Sequence, residues 1–232
     1  MPPPLILLPG LKSDHRVWQP QIDALGSRSD VIVPVASLDC ESIAGMATAV
    51  LAGAPERFAL AGCSMGGYVA LQIMRLAPER VERLALVSTS ARPENPATTP
   101  LRHAALALAR RDGVGAMAAA GLGRDFHRAH RDDAGLAALM VAMAETVGLD
   151  IIERQMRAVI ARPDARLVLA SIRCPTAIVV GEQDQVTPPD CSRELVAAIA
   201  GSTLSMIPDC GHCASLETPG RVTAALQAWM EA

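Results

Sequence analysis

The chain has 232 residues and a mass of 24.3 kDa, half of it hydrophobic and 19% charged, with a formal charge of −3 and only five aromatic side chains. A single lysine, Lys12, among 21 cationic residues, and no stretch that gathers positive charge without acids between, argue against a nucleic-acid or membrane-surface binder. The apolar run at 5–8 is too short to cross a bilayer and has no basic leader or cleavage site, so the expectation is a cytoplasmic protein, a monomer or homodimer, acting on a small molecule.

In chain order, apolar runs at 5–8, 31–35, 58–61, 84–87, 177–180 and 204–207 alternate with helical patterns at 17–25, 42–52, 65–76, 191–200 and 219–230. Most of the runs are continuous, as in strands covered on both faces, and each helical stretch is long enough to cross from one parallel strand to the next. The expected fold is α/β, with a mostly parallel sheet of about six strands flanked by helices. The rhythm stops between 92 and 170, where Ala-, Leu- and Met-rich helical stretches follow an entry broken by Pro93, Pro96 and Pro100. We read 1–91 and 171–232 as a core and 92–170 as an inserted helical cap.

The strongest chemical signal is Gly62-Cys63-Ser64-Met65-Gly66, a G-x-S-x-G pattern between an expected strand and an expected helix. Such a turn exposes a strained serine hydroxyl and aims the amides and positive dipole end of the following helix at it. A serine hydroxyl is a poor nucleophile at neutral pH, so it needs a base and an orienting carboxylate. Of the five histidines, His212 lies directly after the last expected strand, whereas His15 sits in the N-terminal loop and His103, His127 and His130 in the cap. Asp184, four residues beyond the strand at 177–180, reaches over the sheet edge more easily than Glu182; Asp209 is a weaker alternative.

The G-x-S-x-G turn, the G-x-x-D-x-x-x-P segment from Gly181 to Pro188 and Asp209-Cys210-Gly211-His212 before a terminal helix resemble the α/β-hydrolase superfamily over nearly the whole chain, in the order Ser, Asp, His. The resemblance implies Ser64 as nucleophile, His212 as base, Asp184 as its partner, and the amides of Leu11 and Met65 as an oxyanion hole. Pro9 stands where that superfamily's N-terminal loop commonly has His, and the resemblance implies that the first strand here corresponds to the third of the full family sheet, so that a sheet without the usual first antiparallel hairpin is expected. The implied activity is cofactor-independent and metal-independent hydrolysis of a small carboxylic ester, as in the carboxylesterase and enol-lactonase branch. An enol-lactonase of aromatic-acid breakdown, a C–C bond hydrolase, or a small-molecule sensor on the same fold are the alternatives. For a lactone carboxylate, Arg92, Arg102 or Arg154 could supply the cation.

Gly10, Trp18, Tyr68, Phe126, Met140 and Val186 are expected to line the substrate pocket, whose few aromatics favour an aliphatic group over a stacked ring. Met117, Met140, Met143 and Met156 could form its roof or simply pack as core. The segment from Arg124 to Asp133 places His127 and His130 at helical spacing among carboxylates, but its interleaved arginines would repel a cation, so a solvated, ion-paired surface is the expected reading. The six cysteines show no disulfide-framework spacing, and Cys210 and Cys213 are read as neighbours of His212 rather than as a redox pair.

Overall fold

The computed structural model of the protein describes residues 2–232. In chain order its elements are β1 (Leu5–Leu8), α1 (Gln19–Leu25), β2 (Val31–Ile32), α2 (Ile43–Gly53), β3 (Phe58–Cys63), α3 (Met65–Leu76), β4 (Val81–Val87), α4 (Thr99–Asp112), α5 (Val114–Asp125), α6 (Ala134–Val147), α7 (Leu149–Ile160), α8 (Arg166–Leu169), β5 (Thr176–Gly181), α9 (Pro189–Ala198), β6 (Thr203–Ile207), α10 (Ala214–Glu217) and α11 (Pro219–Glu231). The strands form one parallel sheet in the order β2-β1-β3-β4-β5-β6.

Alternation along the strands divides the core into two layers. Ile6, Leu8, Leu60, Leu84, Leu86 and Ile178 face one side and pack against Met46 and Val50 of α2 and Val69 and Ile73 of α3. Leu5, Leu7, Ala59, Ala61, Ala85, Ala177 and Val179 face the other, against Leu25 of α1 and Val222, Leu226 and Trp229 of α11. The small alanines of β3, β4 and β5 on this second face leave room for the chain's two tryptophans, each buried with its indole N–H satisfied: Trp229 Nε1 donates to Pro175 O at 3.2 Å and Trp18 Nε1 to Leu8 O at 3.1 Å.

The run at 31–35 yields a strand of only Val31–Ile32, because Pro34 has no amide to donate to a ladder and the chain turns at once into a 3₁₀ helix over Val35–Leu38. β1 coincides with its apolar run, and β3, β4, β5 and β6 exceed theirs by one to three residues. Between β4 and β5 there are only helices, α4 to α8, and Leu106, Met117, Ala144, Val147, Ile152 and Met156 give them a separate small core. Among the described residues no single helix is long and apolar enough to cross a membrane.

Candidate active site

β3 delivers the chain to Ser64 and α3 begins at the next residue. Ser64 has φ 50° and ψ −115°, a region that residues with a β-carbon rarely adopt. The conformation costs on the order of 1–3 kcal/mol and persists because its surroundings over-determine it. The Ser64 amide donates to Val87 O at 3.0 Å, and Thr89 Oγ1 donates to the Ser64 carbonyl at 2.7 Å. The flanking glycines are steric requirements: a β-carbon at Gly62 would lie 2.3 Å from Gly66 O, and one at Gly66 would lie 2.2 Å from Leu8 O.

His212 and Asp184 reach this serine from the loops after β6 and β5. His212 Nε2 lies 2.9 Å from Ser64 Oγ, while His212 Nδ1 lies 3.0 and 2.9 Å from the two carboxylate oxygens of Asp184. Asp184 is buried and also accepts the amides of Val186 (2.8 Å) and Thr187 (2.9 Å) and the Thr187 hydroxyl (2.9 Å). Burial pushes the Asp184 carboxyl up, but the His212 charge and these hydrogen bonds outweigh it and hold the group below the usual carboxylate range. Burial pushes His212 down, and the Asp184 charge and hydrogen bond more than reverse that, so its net pKa is raised. Glu182 is exposed at the end of β5 and Asp209 is exposed in a turn, so neither contends for this position.

These groups open on a cavity of about 420 Å³, walled by the loop after β1, the start of α3, and helices α4, α5, α6 and α7. Of the expected lining residues, Gly10, Tyr68, Met140 and Val186 are there, as are Leu11 and Met65, whose amides were expected to form the oxyanion hole, and Met117 and Met156. Trp18 and Phe126 are not. Trp18 is completely buried beneath β1, where the alanine face accommodates it, and Phe126 is 2% exposed in the same core layer, so neither reaches the cavity. Met143 likewise packs in that layer.

Three charged residues that the sequence did not assign to the pocket line it: Lys12, Arg124 and Asp125. Lys12 Nζ donates to Asp125 Oδ2 at 2.8 Å. The one available signal was the chain's sole lysine standing directly after Leu11. Of the three arginines weighed for a carboxylate, all are ion-paired, Arg92 with Asp190 and Glu194, Arg154 with Asp39 and Arg102 with Glu94, and of the three Arg102 lines the cavity.

The segment from Arg124 to Asp133 is the expected solvated surface only in part: Arg128, Ala129 and Arg131 to Asp133 are exposed, whereas Phe126 and His127 are buried. His127 is 8% exposed, and its amide and His130 Nδ1 both meet Glu217 Oε2, at 2.7 and 3.1 Å. No cluster of three metal-ligating side chains occurs among the described residues. All six cysteines are free thiols, and burial pushes those of Cys63 and Cys210 up to about 12.

Residues 4–226 match the family model of the alpha/beta hydrolase family, and the chain belongs to that family. It is 25% identical to a pimeloyl-(acyl-carrier protein) methyl ester esterase of Nitrosomonas europaea, over 97% of this chain and 95% of that one. Among solved structures it resembles a thermophilic esterase from Thermogutta terrifontis (26% identity, TM-score 0.86, 98% of this chain and 89% of that chain). The enol-lactonase of Burkholderia xenovorans LB400 (24% identity, TM-score 0.88, 99% and 92%) shares the fold.

Proposed function

We propose that the protein is a serine hydrolase of small carboxylic esters, and that Ser64, His212 and Asp184 are its catalytic triad. The observation that carries this reading is the unbroken chain from Asp184 to His212 to Ser64, with a 2.9 Å contact at each link and the imidazole held between them. In this mechanism Ser64 Oγ attacks the ester carbonyl carbon while its proton passes to His212 Nε2, and Asp184 stabilises the imidazolium. The tetrahedral oxyanion is held by the amides of Leu11 and Met65, both of which line the cavity beside Ser64. Collapse expels the alcohol, which takes the proton from His212, and leaves an acyl-serine. Water, deprotonated by the same imidazole, then releases the carboxylic acid and restores the hydroxyl.

In the same reading residues 92–170 are a helical cap over a core of 1–91 and 171–232, and the Leu, Ala and Met side chains that α4 to α7 bring to the cavity hold an aliphatic acyl or alkyl group. The esterase names of the relatives above support the bond class.

The test is Ser64→Ala together with a fluorophosphonate label mapped by peptide mass. The label is expected on Ser64, and turnover of p-nitrophenyl butyrate is expected to vanish while the fold is kept. Undiminished turnover would overturn the assignment.

A second reading, lactone hydrolysis, is favoured by Arg102. Arg102 lines the cavity, with Nε on Glu94 at 2.6 Å and Nη1 reaching Met156 Sδ at 4.0 Å, so a substrate carboxylate could take a hydrogen bond from its remaining N–H groups. Arg102→Met should then raise KM for a carboxylate-bearing lactone and leave a neutral ester unaffected.

A further inference from the structure

The charged pair inside the cavity joins two parts of the site that the chain keeps far apart. Asp125 is the last residue of α5, and its main-chain carbonyl accepts the amides of His212 at 2.9 Å and Cys213 at 3.2 Å. Its side chain turns the other way and accepts Lys12 Nζ at 2.8 Å. Lys12 directly follows Leu11 and has φ 57°, in the left-handed region that favours glycine. Two ties hold it there: the ammonium on Asp125, and its amide on the buried Gln155 Oε1 at 3.1 Å. Both charged side chains are nearly buried, 16% and 14% exposed, and both line the cavity with Ser64 and His212.

A buried ion pair is weak as a device for stability, because desolvation consumes most of its attraction; its better-attested use is to fix a register. Here the register is that of the Leu11 amide against the imidazole. We propose that Asp125 is a positioning residue, which holds the loop carrying the Leu11 amide, through Lys12, in place relative to the His212 loop it grips with its own carbonyl. The inference rests on the serine-hydrolase reading given above.

The test uses the full chain, p-nitrophenyl butyrate, and the variants Lys12→Met, Asp125→Ala and the double. Each single variant should lose kcat between about 10- and 100-fold with KM within about threefold, as expected when an oxyanion donor is displaced rather than deleted. The double variant should be no worse than the poorer single, since both remove one tether. Lys12→Arg, which keeps a donor for Asp125, should restore most of kcat, and it carries the test with Lys12→Met if Asp125→Ala does not fold.

The pH profile reports separately on whether both charges face His212, while the split between kcat and KM reports on positioning. The groups around His212 are Asp184 and Thr187 on Nδ1, Ser64 on Nε2, Asp125 and Lys12 from the cavity wall with Arg124 beside them, Cys213 next in the chain and Glu217 beneath Gly211. Removing the Asp125 charge should shift the acid limb of kcat/KM to lower pH, and removing the Lys12 charge should shift it to higher pH.

Single-variant losses that multiply in the double, a raised KM with unchanged kcat, or wild-type kcat in both singles would overturn the proposal. A dead Ser64→Ala variant alongside unaffected Lys12 and Asp125 variants overturns the positioning role alone; an active Ser64→Ala variant overturns the serine reading itself.

Discussion

The Glu217 carboxylate accepts the Gly211 amide at 3.0 Å in a place where the Glu217 side chain has no exposure to solvent. It also accepts the His127 amide at 2.7 Å, so one side chain of α10 fastens both the residue preceding His212 and the segment after α5. Glu217→Ala would strand two buried amides at about 1–3 kcal/mol each. Thermal unfolding should show a Tm lower by roughly 5–15 °C for a chain of this size. Glu217→Gln, which keeps an acceptor oxygen, should lose less; an unchanged Tm in Glu217→Ala would contradict this account.

The pH dependence follows from the opposed directions of the pair. On the proposed mechanism Ser64 is activated only by neutral imidazole, so the raised pKa of His212 should place the acid limb of kcat/KM above the ordinary histidine value of about 6.5. Asp184→Asn should move that limb to lower pH and reduce kcat by about 10³- to 10⁴-fold. Stability obeys the same linkage. The contribution of His212 is complete below its unfolded pKa and is lost as pH rises through the raised folded value. That of Asp184 is complete above its unfolded pKa and is lost as pH falls through the depressed folded value. Urea unfolding at a series of pH values should show both losses flattened in Asp184→Asn.

The strain at Ser64 is measurable apart from catalysis. Ser64→Ala and Ser64→Gly are both expected to be inactive, but glycine adopts φ 50° without penalty, so Ser64→Gly should be more stable than Ser64→Ala by about 1 kcal/mol. Equal stabilities would show that the turn is relaxed.

Trp18 and the cavity can be separated. Trp18→Phe removes the indole bond to Leu8 O and leaves that buried carbonyl short of a donor, which should cost about 1–3 kcal/mol in unfolding free energy. The ratio of kcat/KM between butyryl and benzoyl esters should stay where it was, with the butyryl ester ahead, because Trp18 does not face the cavity. A changed ratio would return Trp18 to the substrate wall.

The thiols beside the site should be inert. Since burial holds Cys63 and Cys210 up to about 12, iodoacetamide at pH 8 should spare both in the native protein and modify them after unfolding, while the half-buried Cys40 reacts earlier. Rapid native alkylation of Cys63 would contradict its burial.

The sheet was legible because its strands are continuous apolar runs bounded by turn residues, and Ser64 because G-x-S-x-G constrains backbone and chemistry in five consecutive positions. Asp184 could be preferred to Glu182 on reach alone. What could not be read depends on partners far along the chain. Lys12 and Asp125 are 113 residues apart, and nothing local marks them as a pair. Glu217 looks like an ordinary exposed acid at the start of the terminal helices, and His127 and His130 like surface residues, until folding puts them on one carboxylate. Trp18 and Phe126 were assigned to the cavity as scarce aromatics, but size and hydrophobicity suit a core equally well. The alanine face of the sheet that receives Trp18 is assembled from three strands.

The chain's one lysine is also its one site for amine-directed chemistry on a side chain, and that amine is clasped by Asp125 inside the cavity. The folded protein should therefore be nearly blind to lysine-reactive crosslinkers and to attachment through side-chain amines. Acylation of Lys12, followed by mass, would serve as a clock for how often its pair with Asp125 opens to reagent.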